Sequence, residues 1–186
     1  MLTLKLDPVI QLTGEQFYQL CLTNPDLKLE RNAQGELIMM PPTGGSTGQV
    51  NFNWAAQLWL WNDRTQLGVG FDSSTGFTLP NGAVRSPDIA WVERSRWENL
   101  AVEQRRRFPP LAPDFVLELM SPTDVWQETQ QKMREYANNG VRLGWLIDLD
   151  HQRAEVYTPG QAVQQVRLPA QLSGGNVLPG FQLAVG

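Results

Sequence analysis

The chain carries one cysteine, Cys21, and one histidine, His151, in 186 residues. A single cysteine excludes an internal disulfide and any zinc site built on a cysteine cluster. A single histidine excludes every metal centre that needs two imidazoles. It also leaves a Ser-His-Asp or Cys-His catalyst only the base in Asp148-Leu149-Asp150-His151-Gln152-Arg153, which reads as a turn between two strands. No run approaches the ~18 to 20 uncharged apolar residues that cross a bilayer. The opening Met1-Leu2-Thr3-Leu4-Lys5-Leu6-Asp7 has neither the basic start nor the long apolar stretch of a secretory leader, so the expected location is cytoplasmic. An excess of positive charge is missing too: 15 Lys and Arg against 19 Asp and Glu give a net charge of −4. That argues against broad coating of nucleic acid and still permits a local basic groove. Any chemistry here therefore runs on carboxylates, lysine and a hard metal ion.

What is present fits one domain over residues 1–186, since 41% hydrophobic residues suffice for a sizeable core with small appended hairpins. Thr13 followed by Gln16 is a capping-box pattern and predicts a helix through Phe17, Leu20 and Cys21, stopping near Asn24-Pro25. Residues 27–30 and 36–40 read as a hairpin. Residues 41–48 read as a loop into a second helix, Gln49 to Arg64, whose Val50, Trp54, Leu58 and Trp61 form an aromatic face. That face is core material or, alternatively, a dimer interface. Residues 68–92 are strand-like, with a tight turn at Asn81-Gly82. A strand over Asp114 to Met120, a helix over Val125 to Asn138 and a strand pair, Trp145 to Asp148 and Arg153 to Tyr157, follow. The order predicts an α/β sandwich around one mixed sheet.

Within Phe115-Val116-Leu117-Glu118-Leu119-Met120 five residues are apolar, so Glu118 faces a protein interior. A carboxylate there must be paired, protonated or bound to a cation, and a structural ion pair is the plain alternative. In Arg85-Ser86-Pro87-Asp88-Ile89-Ala90-Trp91-Val92, Pro87 marks the start of a strand and Asp88 stands at its entrance. Asp88 is either a turn residue or, with Glu118 on a neighbouring strand, half of an oxygen cluster suited to Mg²⁺. In the following helix, which Asp124 can cap, Lys132 lies beside the face of Trp126, Thr129, Met133 and Tyr136. It can reach back over the Glu118 strand or sit in solvent beside Glu128 or Glu135.

Five segments, in order, carry a resemblance: residues 35–45 (Gly35-Glu36-Leu37 through Gly45), Ser86-Pro87-Asp88-Ile89, residues 113–122, Lys132 with Tyr136, and Gly140-Val141-Arg142-Leu143-Gly144-Trp145. The chain resembles the Uma-type restriction endonuclease family of the PD-(D/E)XK nuclease superfamily, from about Leu12 to Phe181. The resemblance implies α/β architecture with a restriction-endonuclease-like core, a mixed β-sheet flanked by helices, and additional N- and C-terminal β-hairpins. It implies a metal-dependent endonuclease that hydrolyses DNA phosphodiester bonds with Mg²⁺ or Mn²⁺. Asp88 and Glu118 match the acids that hold the metal and take part in catalysis, and Glu36 matches an acidic position in the N-terminal hairpin that is expected to join them as a metal ligand. The superfamily's general lysine, two residues after the glutamate, is here Met120, and Lys132 matches the lysine that the Uma-type family supplies from the next helix. Thr47 stands where a histidine is expected. The competing reading is a catalytically silent nucleic-acid- or protein-binding module that retains the nuclease fold. DNA is the expected partner and a homodimer the expected assembly, from the tryptophan-rich helix and from the need for two sites to cut a duplex. On this reading Lys132→Met leaves folding and metal binding nearly intact while lowering cleavage by orders of magnitude. Residues 43–48 lack a P-loop lysine and read as a turn, and Arg105-Arg106-Arg107, with Arg94 and Arg96 upstream, reads as a solvated loop or a phosphate contact.

Overall fold

Local signals in the first third of the chain set up a small antiparallel sheet. In the computed structural model, which describes residues 2–7 and 9–186, a short strand β1 (Leu2–Leu4) precedes helix α1 (Gly14–Thr23). Both halves of the capping box form: the Gln16 N–H donates to Thr13 Oγ1 at 3.2 Å and the Thr13 N–H donates to Gln16 Oε1 at 2.9 Å. The helix buries Phe17 completely. Strands β2 (Lys28–Arg31) and β3 (Leu37–Met40) make the expected hairpin, in the register Lys28↔Met40 to Arg31↔Leu37.

Helix α2 (Gly45–Thr65) begins at Gly45, four residues before the expected start, so much of the glycine-rich stretch is its first turn. Trp54 and Leu58 are buried and Val50 and Trp61 pack against the same core, while Phe52 and Trp59 on the outer side are 74% and 60% exposed. Strand β4 (Gly68–Asp72) is followed by β5 (Phe77–Thr78) and β6 (Val84–Arg85), joined by a turn in which Gly82 takes φ +85°, a left-handed value that glycine adopts without a Cβ clash. Then come β7 (Ile89–Glu93), two short helices α3 (Arg94–Glu98) and α4 (Val102–Arg105), and β8 (Phe115–Leu119). Helix α5 (Trp126–Asn138) leads to β9 (Leu143–Asp148), β10 (Arg153–Tyr157), β11 (Gln164–Arg167), β12 (Ala170–Ser173) and β13 (Gln182–Val185). Asp124 does not cap α5. Its carboxylate accepts instead from the Ser121 N–H and hydroxyl at 2.9 and 2.8 Å, and Val125 holds the cap position without a side-chain bond.

The expected mixed sheet flanked by helices forms, and the N- and C-terminal strands make two smaller sheets beside it. A five-stranded sheet runs β1-β3-β2-β6-β5, a six-stranded mixed sheet runs β11-β10-β9-β8-β7-β4, and β12 pairs with β13. The pairing of β8 with β9 is parallel and is crossed over by α5, as a parallel connection requires; the other pairings are antiparallel. One face of the mixed sheet packs Val116, Leu146 and Tyr157 under Met133 and Tyr136 of α5. The other packs Trp91, Phe115 and Trp145 under α2 and the β12–β13 pair. Among the described residues no helix is long and apolar enough to cross a membrane.

A candidate active site at the end of β8

Strands β7 and β8 pair with Ile89 opposite Leu117, so continuing the register by one residue sets Asp88 opposite Glu118. The two acids line one cavity of about 520 Å³, with Lys132 and Ser121 on one side and Thr47 and Asn51 of α2 on the other. The Leu119 N–H donates to Asp88 Oδ2 at 2.9 Å, which ties the aspartate to the neighbouring strand. Glu118 lies in a strand whose five residues are all buried. Its Oε1 accepts from the Tyr136 hydroxyl at 2.9 Å and lies 2.8 Å from Lys132 Nζ. Among the described residues Asp88 Oδ1 and Glu118 Oε2 take no hydrogen bond.

Lys132 reaches this place because Thr129, Lys132, Met133 and Tyr136 recur at helical spacing and form the buried face of α5. Its ammonium is not in solvent beside Glu128 or Glu135. It is 9% exposed and clasped between Glu118 and Glu30, whose Oε1 is 2.9 Å away. Glu30, in β2, is 1% exposed. It also meets Arg85 Nη1 at 3.0 Å and accepts the Ser86 N–H at 2.8 Å, and Arg85 Nε continues to Glu135 at 2.6 Å. Met120, two residues beyond Glu118 and so on the same strand face, packs against the apolar cluster under α5. Position 120 thus carries no charge, and the ammonium beside Glu118 is that of Lys132 in the helix above.

Burial pushes Glu118 up to about 7; the charges of Asp88 and Glu30 push the same way and Lys132 opposes them. Burial also raises the Asp88 carboxyl, against the pull of the Leu119 N–H and Lys132. Burial disfavours ionised Glu30 as well, but Lys132 and Arg85 outweigh it and hold that carboxyl below its usual range. Lys132, disfavoured by burial, is held charged by Glu118 and Glu30. The cluster thus has one well-compensated anion, Glu30, and two under-compensated ones that open into the cavity.

That donor set fits a hard divalent cation. Two carboxylates, each with an oxygen left over, match the way Mg²⁺ takes one or two carboxylates and fills its remaining positions with water and phosphate oxygens. Among the described residues no three His, Cys, Asp or Glu side chains gather into a cage that would hold a metal by themselves. Glu36 stands apart from the pair: it lines a different cavity, of about 400 Å³, separated by the Glu30–Lys132 pair that lines it too. Its carboxylate is occupied by Asn32 Nδ2 at 2.7 Å. The hairpin acid that reaches the cluster is Glu30.

Sequence reasoning missed Glu30, Arg85 and Asn51, whose Oδ1 is buried at the cavity wall without a partner among the described residues. Of the arginines near residue 100, Arg106 is exposed and the others are engaged internally. Arg105 donates to the Leu100 and Glu98 carbonyls, Arg107 pairs with Glu15 over the Tyr18 ring, and Arg96 meets Asp114 at 2.8 Å. His151 is bonded to Asp148 and lies outside the cavity.

No curated protein matches the sequence. A crystal structure from Anabaena variabilis ATCC 29413, described as a putative nuclease belonging to DUF820, superposes with a TM-score of 0.78 at 21% identity, covering 93% of this chain and 94% of that one. At that identity the likeness establishes the fold, which is nuclease-like. A family model described as "Putative restriction endonuclease" matches residues 15–186, and the chain belongs to that family, Uma2.

Proposed function

We propose that the protein is a divalent-metal-dependent endonuclease that hydrolyses phosphodiester bonds in DNA, with Asp88 and Glu118 holding Mg²⁺ or Mn²⁺. The observation that carries this reading is the shared cavity of two under-compensated carboxylates with a buried ammonium 2.8 Å from one of them. A cation bound there neutralises charge on a phosphate oxygen and acidifies water. Glu118 keeps Oε1 on Lys132 and Tyr136, which fixes the carboxylate and leaves Oε2 for the cation. The Leu119 N–H does the same for Asp88. Lys132 orients the attacking water or stabilises the charge that builds on the phosphate. Glu30 sets the position of that ammonium.

The test is a cleavage screen over duplex, single-stranded and structured DNA with Mg²⁺ or Mn²⁺. Metal-dependent cleavage that disappears with chelator is the expected result. No cleavage of any substrate, with no metal-induced rise in melting temperature, would instead favour a silent binding module.

The outer side of α2 supports a homodimer. Phe52, Trp59 and Leu60 are exposed there, an apolar surface of the kind that marks protein contacts, and two copies would supply one site per strand of a duplex. Light scattering at micromolar concentration should give the dimer mass, and a monomer mass would remove this part of the reading. DNA as substrate also agrees with a cytoplasmic protein.

A further inference from the structure

We propose that the cleft between α5 and the last two strands of the mixed sheet, β10 and the edge strand β11, binds a DNA backbone through its phosphates. It would take the flank of a strand whose reacting phosphate lies at Lys132, so the assignment of that flank rests on the nuclease reading. The cleft has a volume of about 600 Å³ and is lined by Trp126, Gln130, His151, Arg153, Gln165 and Arg167, among others. Its chemistry follows from register. Arg153 pairs with Arg167 and Glu155 with Gln165 across β10 and β11, and directly paired residues project to one face, here the face under α5.

The acids of the cleft are turned away from its opening. Glu155 is 4% exposed, and its oxygens accept from Gln130 Nε2 at 2.8 and 3.0 Å and from the Tyr157 hydroxyl. Asp148 is 3% exposed and holds Arg153 and His151. Arg153 is further fixed by lying 3.8 Å over the Trp126 ring. The Arg167 side chain has no ion pair or hydrogen bond among the described residues, although its backbone is paired with that of Arg153. The groups that remain to meet a ligand are the guanidinium of Arg167, the outer nitrogen of Arg153, the His151 ring, and glutamine amides: mostly donors, with the Arg167 charge unpaired among the described residues and that of Arg153 matched by Asp148. Phosphate oxygens are the acceptors such a set suits.

The cleft also lies where a flank would pass. Glu118 is opposite Leu146, Leu146 opposite Glu155, and Glu155 opposite Gln165. Leu146, between Glu118 and Glu155, is covered by α5, so the DNA strand would pass over the N-terminal end of that helix, with Thr129 and Lys132 on one side and Trp126 and Gln130 on the other. Three strand spacings of ~4.8 Å make the distance at least ~14 Å. At ~3.4 Å of rise per nucleotide this is about four nucleotides of duplex.

The test is binding of a labelled DNA duplex by anisotropy in EDTA, over a salt series, with the whole chain. Arg167→Ala should raise Kd about tenfold, the loss expected for a charge-assisted hydrogen bond, and reduce the slope of log K against log salt by about 0.9. Arg167→Glu should weaken binding further. Neither variant should melt below the parent, since the Arg167 side chain makes no ion pair or hydrogen bond among the described residues and stands beside Arg153 across the strand pair, where a glutamate would be favoured. Arg64→Ala, which removes an exposed charge at the far end of α2, should change neither Kd nor slope. Unchanged binding by the Arg167 variants overturns the proposal, and so does an equal loss on Arg64→Ala, which would mean only general charge. Loss specific to Arg167 in a chain that cleaves nothing would keep the cleft and overturn the cleavage reading alone.

Discussion

Replacing Lys132 with methionine lowers DNA cleavage by about 10²- to 10³-fold, the effect of removing one donor aimed at developing charge, and also destabilises the protein. The second half differs from the expectation raised by the sequence, that folding would be spared. Lys132 is 9% exposed and bridges two buried carboxylates at 2.8 and 2.9 Å. Removing one partner of such a pair leaves an uncompensated buried charge, at about 3–5 kcal/mol. Glu30 keeps Arg85 and the Ser86 N–H, so most of the deficit falls on Glu118, which keeps only Tyr136. Glu118 already sits near pH 7, chiefly through burial, and without the ammonium its carboxyl moves higher still. A protonated Glu118 needs no counter-charge, so the deficit is largest at pH 8 and shrinks as the pH falls. Melts at pH 6 and pH 8, beside single-turnover cleavage at a temperature where the variant stays folded, read both effects. A wild-type cleavage rate would remove the role given to Lys132, and unchanged stability at pH 8 would remove the pairing.

The difference between those two expectations marks where the sequence stops being legible. Asp88 and Glu118 can be read locally, because each is a lone acid in apolar strand context: Pro87 fixes where the first strand starts and four apolar neighbours bury the second. Lys132 can be placed on a helix face, but whether that face meets solvent or two carboxylates depends on contacts 14 and 102 residues distant, to Glu118 and Glu30. Glu30 is hidden for the same reason. In Lys28-Leu29-Glu30-Arg31 charge alternates with a single apolar residue, the pattern of a solvated edge, yet β6 covers that strand and α5 brings Lys132 onto it. The two-residue strands Phe77–Thr78 and Val84–Arg85 are too short to announce which sheet they join, and the link to β2 is one register pair, Arg31↔Val84. Glycine explains the early start of α2. Poor helix formers at residues 44, 45 and 48 read as loop, but packing further along the helix outweighs a penalty of about 1 kcal/mol per glycine.

Asp88→Asn abolishes metal-dependent cleavage and leaves the metal-free protein more stable than the parent at neutral pH, by roughly 0.5–2 kcal/mol, the scale of gain seen when a strained functional group is relieved. The asparagine is isosteric, and its Oδ1 can still accept the Leu119 N–H that Asp88 accepts at 2.9 Å. What it removes is the cost of an ionised carboxylate that burial disfavours. The folded protein binds the Asp88 proton more tightly than the unfolded chain, whose value is near 3.8. The parent therefore loses stability as pH rises from that value through the raised folded one, and the variant does not. Their metal-free stabilities should converge in acid and separate towards neutrality. Divalent cation reverses the order. Binding to the folded state alone adds RT ln(1 + [L]/Kd), about 2.7 kcal/mol at a hundred times Kd, so Mg²⁺ should raise the melting temperature of the parent and leave that of the variant unmoved. In the parent the rise should grow from pH 6 to pH 8, because Glu118 titrates at about 7 and the cation displaces its proton below that value. A variant that still gains stability from Mg²⁺ would take Asp88 out of the metal site. A variant less stable than the parent without metal would mean that the carboxylate holds the fold together, and that its burial was never a cost borne for binding.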